Sequence, residues 1–233
     1  MTDRREFLGT VLAAGLVGRT GEAGGSLEKG GSRAQLLPHA SPLFPTSPQS
    51  SWDVSWTTKI TGTHRVVFDS PEMSAGLALI RTLVWFKDYA EVYGAKPADM
   101  SAVVVLRHNA IWMVMNDEFW DHHNIGKVVD INDPKTGRPI RRNPFLGATP
   151  FADLPPAMAD EVLKKVLASA TVLACNLAFH DVVDKVKPEA GGDADRARAM
   201  ALRHLVPGVI LQPSGVFGVT RAEEAGCGYF LAS

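Results

Sequence analysis

Apolar residues fall into short blocks separated by Gly, Pro, Asp and Asn, and the period inside the blocks alternates along the chain. His64-Arg65-Val66-Val67-Phe68-Asp69 is β-branched and aromatic and predicts a strand. Ser70-Pro71 then offers a cap and a first-turn proline, so a helix is expected from there to about Tyr93, ending at Gly94. Its apolar positions form two stripes, one of Met73, Leu77, Ile80 and Val84 and one of Leu79, Leu83 and Phe86. Two stripes call for burial by the sheet and by a second subunit. After the turn Pro97-Ala98-Asp99, the block Ala102-Val103-Val104-Val105-Leu106 is apolar throughout, as in a central strand covered on both faces. A short helix containing Ile111 to His123 follows. Segments 127–131 and 138–142, joined by Asp133-Pro134-Lys135-Thr136-Gly137, read as a hairpin insertion, and Asn143 to Pro156 as a proline-rich loop.

The alternation then resumes. Helices are expected over 157–168, 178–186, 194–205 and 216–225, and strands over 171–175, 209–212 and 229–231. Strands alternating with helices predict right-handed parallel crossovers. The fold class is therefore α/β, a three-layer sandwich with a mostly parallel five-stranded sheet, over residues 59–233 with an insertion at 127–156.

Upstream the pattern changes. Asp3-Arg4-Arg5-Glu6-Phe7-Leu8 precedes a ten-residue apolar run, Gly9 to Gly18, with small residues at Gly21 and Ala23. This reads as a signal peptide over residues 1–23, and glycines at 9, 15 and 18 argue against a helix of the mature domain. The paired arginines followed by Phe-Leu resemble the twin-arginine export signal. That resemblance implies the twin-arginine export machinery as a partner and a periplasmic or otherwise exported location. Gly, Pro and Ser make up half of residues 24–51, too polar a stretch to offset chain entropy, so 24–58 is expected to be a flexible tether. Trp52 and Trp56 either pin the tether to the domain or begin an edge strand.

Composition removes whole classes of function. With 24 basic against 25 acidic side chains the net charge is −1, and no overall basic field exists to hold nucleic acid. No apolar run reaches the roughly 18–20 residues of a membrane span. Two cysteines make neither a disulfide scaffold nor a four-thiolate zinc site.

Cys175-Asn176 at a strand end, Leu205-Val206-Pro207-Gly208-Val209 and Pro213-Ser214-Gly215-Val216, with Glu-Ala-Gly before an aromatic last strand, resemble the DsrE/DsrF-like (YchN-type) family in order and spacing. The likeness covers roughly 64–233 apart from the insertion. It implies a five-stranded parallel sheet, a homo-oligomer (trimer or hexamer), and in some members sulfur carried as a persulfide on the strand-end cysteine. Only Cys175 matches a functional position of the family. An exported location would set this chain apart from the cytoplasmic sulfur-relay members, and the insertion stands where it could cover the family's site.

In an open parallel sheet, ligands bind beyond the carboxyl ends of the strands. Those ends carry Asp69, then Arg107, His108 and Asn109, then Cys175 and Asn176, then Ser214 and Gly215. Cys175 before a helix would have its thiolate favoured, and a Ser-Gly turn opening a helix suits an oxyanion. The expected ligand is small and anionic or sulfur-containing. The competing readings are a buried, inert Cys175 in a non-catalytic binding or assembly subunit, and a Ser214 that only caps its helix. The basic insertion reads either as a lid or as a solvated hairpin. No metal site or resident cofactor is expected, since His122 and His123, adjacent on a helix, point about 100° apart. The two cysteines are expected at opposite edges of the sheet, roughly 15 Å apart and unlinked.

Overall fold

The computed structural model describes residues 52–233. The expected export signal and nearly all of the tether lie outside those residues.

Five strands form one sheet: β1 (His64–Ser70), β2 (Met100–Leu106), β3 (Thr171–Cys175), β4 (Ile210–Gln212) and β5 (Gly228–Leu231). Their order is β4-β3-β2-β1-β5, and every neighbouring pair is parallel. Among the described residues eight α-helices accompany them: α1 (Leu77–Tyr93), α2 (Asp117–His122), α3 (Ile125–Val128), α4 (Pro156–Ala159), α5 (Val162–Ser169), α6 (Asn176–Val186), α7 (Ala194–Arg203) and α8 (Gly215–Glu224). The α/β sandwich expected from the alternation is the fold observed, with an all-parallel sheet. β2 is buried at every position, as its unbroken apolar run requires.

The chain steps from β1 to β4 in one direction, then crosses back through α8 to place β5 at the far edge. The larger core therefore lies on one face, where Val66, Phe68, Val104 and Leu106 meet Leu79, Leu163, Phe179 and Val182. On the other face α8 and the 3-10 turn Ser55–Lys59 cover Val67, Val103, Val105 and Leu173. Trp56 sits fully buried there. The domain thus begins before residue 59, and Trp52 to Trp56 form no edge strand: Trp56 fastens the incoming chain to the sheet.

Three other local expectations are corrected. α1 begins at Leu77, because Ser74, Ala75 and Gly76 have positive φ and interrupt any helix from Pro71. Gly76 is needed there, since a Cβ would lie 2.7 Å from the Phe145 ring. The expected hairpin is shorter than its predicted arms: 125–128 is helical, and the antiparallel pairing is confined to Asn132 and Pro139, with the Asp133 N–H bonded to the Arg138 carbonyl and the Ile140 N–H to the Ile131 carbonyl around the 133–137 turn. The helix expected over 157–168 breaks into α4 and α5.

The insertion belongs to the main core. Asn143, completely buried, donates to the carbonyls of Met113 and Met115 at 2.8 and 2.6 Å and accepts from the Phe145 N–H at 2.9 Å. Its own N–H donates to Asp117. Ile140 and Phe145 are buried beside it.

Candidate functional site

At the carboxyl edge, a cleft of about 210 Å³ is lined by Arg107, His108, Cys175, Leu177, Ala178, Asp181, Ser214, Gly215 and Val216. Three chain segments converge because β2, β3 and β4 are adjacent and parallel, which brings their carboxyl ends side by side. Cys175 closes β3 and is the N-cap of α6. Ser214 is the N-cap of α8, its hydroxyl accepting from the Phe217 N–H at 3.0 Å. Two helix N-termini thus face one cleft, and their unpaired N–H groups and dipoles favour negative charge between them.

Arg107 is the cation of the site. Its Nε donates to Asp69 Oδ1 at 2.7 Å and its Nη2 to Asp69 Oδ2 at 2.9 Å. The Tyr229 hydroxyl donates to the same Oδ2 at 3.0 Å. The Asp69 side chain is 5% exposed and that of Arg107 24%. The Asp69 carboxylate holds the guanidinium above its usual range, whereas burial, then Asp69, raises the Tyr229 phenol. Gly215 lets the arginine stem pass beneath α8, because a Cβ there would stand 2.5 Å from Arg107 Cδ. His108 adopts φ +47°, a left-handed conformation that turns the chain sharply out of β2.

Of the residues expected at the strand ends, Arg107, His108, Cys175, Ser214 and Gly215 line the cleft and Asp69 supports it from behind. Asn109 and Asn176 are directed elsewhere. Asn109 donates to Glu72 at 2.7 Å, and Asn176 accepts from Arg198 at 2.7 Å. Sequence reasoning missed Asp181 and Tyr229. Asp181 was within reach, since it follows Leu177 by four and Ala178 by three on α6 and shares their face. Tyr229 arrives only through the β1–β5 register, which pairs it with Val67.

No residue of the insertion lines this cleft, so it is not a cover over Cys175. It borders a wider, open depression with α2, where Arg141 is paired to Asp121 at 2.5 Å. That depression is lined by carboxylates and arginines and contains no cysteine or histidine.

Cys175 is 5% exposed, and both cysteines are free. Cys227 precedes β5 at the opposite edge of the sheet. The registers put the two about six residues apart along the strands, about 20 Å, beyond any disulfide. Burial pushes the Cys227 thiol up to about 11, with Arg65 opposing the shift. Cys175 opens toward the cleft.

No helix among the described residues is long and apolar enough to cross a membrane. Compared with family models, with curated proteins and with solved structures, the chain finds no match.

Proposed function

We propose that the chain is an exported, self-associating protein of the DsrE/DsrF-like type whose Cys175 binds or carries a small sulfur species. The observation that carries this reading is the meeting of Cys175, the Arg107 guanidinium and the N-termini of α6 and α8 in one small cleft. A space of about 210 Å³ suits an ion of the size of thiosulfate and excludes a peptide.

The step is a transfer of sulfane sulfur. The Cys175 thiolate attacks the outer sulfur of a sulfane donor, an S–S bond forms to Cys175 Sγ, and the donor's S–S bond breaks. With thiosulfate the electron pair leaves on sulfite, and Cys175 retains the sulfur as a persulfide. Attack by an acceptor thiolate on that outer sulfur returns the cysteine. No external oxidant is required. Arg107 and the helix N-termini would hold the anionic donor, and Asp69 would hold Arg107. Self-association is supported by β5, an edge strand whose Tyr229, Phe230 and Leu231 are all exposed, and by the half-buried Trp85 and Phe86 on α1.

Intact-mass measurement after incubation of reduced protein with thiosulfate tests the reading. Wild type and Cys227→Ser should each gain one sulfur atom, and Cys175→Ser none. No adduct on wild type, or the same adduct on Cys175→Ser, overturns it. The low exposure of Cys175 favours one alternative, a binding or assembly subunit with an inert thiol. Iodoacetamide labelling separates the two, since an inert Cys175 reacts as slowly as Cys227.

A further inference from the structure

Away from the cleft, one ring nitrogen each of His122 and His123 and a carboxylate oxygen of Glu189 lie within 4.8 Å of one another. We propose that these three side chains form a binding site for a divalent transition-metal ion of the zinc type.

The geometry is close to what such an ion needs. His122 Nε2 is 3.0 Å, and His123 Nδ1 3.7 Å, from the same oxygen, Glu189 Oε1. Zinc–ligand bonds of about 2.0–2.1 Å in a tetrahedron separate donor atoms by about 3.4 Å. Small side-chain rotations therefore bring the three atoms onto one ion. His123 is the C-cap of α2 and keeps the helical hydrogen bond to the Phe119 carbonyl, yet both rings reach Glu189, which approaches from the side between them. Their rings stand at 84° with centroids 4.7 Å apart, so the two lone pairs need not compete for one plane.

His123 supplies a second, independent observation. Its side chain is 8% exposed and enters no hydrogen bond among the described residues, although its Nδ1 faces Glu189. The ring is held in place by Phe119, centroid to centroid 4.4 Å. A metal ion would give the His123 Nδ1 a partner at the distance where Glu189 alone does not bond it. Glu189 comes from the turn after α6, on a segment far from α2 in sequence, so the ion would tie two parts of the chain together. His122 is 62% exposed and Glu189 40%, which leaves a coordination position open to water. His204 and Lys185 are the other titratable groups that bear on His123, and positive charge on either opposes a bound cation.

The site and the Cys175 cleft lie at opposite ends of α6, whose eleven residues span about 16 Å. A metal ion bound at one is therefore distinguishable from one bound to the thiol. Equilibrium dialysis of the full chain against zinc at pH 7.5, in a Cys175→Ser background, provides the test. One equivalent should bind, with at least a tenfold loss of affinity in His122→Ala and in Glu189→Gln, and none in His180→Ala. His122 and Glu189 are exposed enough for both variants to fold, and unchanged circular dichroism checks that they do. Absence of binding, or affinity unchanged in both variants, overturns the proposal.

Discussion

Removing Arg107 should destabilise the domain more than removing the charge of its partner Asp69. The reason is unequal burial, 24% exposure against 5%. In Arg107→Met the carboxylate stays buried and keeps only the Tyr229 hydroxyl of its three side-chain donors. Breaking a buried pair in this way costs about 3–5 kcal/mol when nothing else compensates. The remaining Tyr229 bond brings the expected cost to about 2–3 kcal/mol. In Asp69→Asn the guanidinium can turn toward the open cleft, and the amide oxygen still accepts one bond. About 1 kcal/mol is expected. The double variant buries a neutral amide instead of a stranded charge. It should therefore be no worse than Arg107→Met, giving a coupling of about 1–2 kcal/mol. Urea unfolding at pH 7 with a common m-value measures all three, and the arginine variant should melt roughly 4–10 °C below wild type. If Arg107→Met is no less stable than Asp69→Asn, or if the two effects simply add, Arg107 is not the ion that keeps Asp69 buried.

Other outcomes follow from single contacts. Trp56→Ala should cost about 3–5 kcal/mol in urea unfolding, because the ring is completely buried against the sheet; a loss under 1 kcal/mol would return the domain boundary to residue 59. Gly126→Ala should displace the insertion, since a Cβ there collides with the backbone of Ile140, and limited proteolysis within 127–142 should become faster than in wild type. The Cys227 thiol, raised to about 11, binds its proton more tightly folded than unfolded. Its contribution is present below the ordinary thiol range and lost as pH climbs toward 11. Wild type should accordingly lose about 1–2 kcal/mol more than Cys227→Ala between pH 8 and 10.5, and equal losses would refute burial as the cause. Lysine at both Arg4 and Arg5 should leave precursor in the cytoplasm by cell fractionation, whereas normal export would remove the twin-arginine reading.

The strands were legible because each is a short run, three to seven residues, of β-branched, aromatic or aliphatic side chains bounded by turn residues, and because helices between them force parallel crossovers. What was illegible depends on contacts from distant sequence. Ser70-Pro71 has the chemistry of a helix start, yet α1 begins at Leu77, where Phe145 packs on Gly76 and leaves no room for a side chain. Residues 125–128 form a turn of helix because Gly126 packs directly against the backbone of Ile140, a contact from distant sequence that leaves the hairpin pairing to begin only at Ile131.

The site divides along the same line. Position beyond a strand end locates a backbone, and it found Arg107, Cys175, Ser214 and Gly215 because parallel neighbours must share an edge. It says nothing about where a side chain points, which is why Asn109 and Asn176 were counted and Tyr229 was not. Helical periodicity likewise says nothing of Glu189, which reaches His122 and His123 from a segment far away in sequence. α6 then connects the two regions physically. Its N-terminus, with Cys175, is the positive end of the helix dipole and favours a thiolate or a bound anion. Its C-terminus, which leads into the turn carrying Glu189, is the negative end and favours a cation. The same eleven residues thus bias opposite ends of the domain toward opposite charges, and the dipole works with the chemistry proposed at each end.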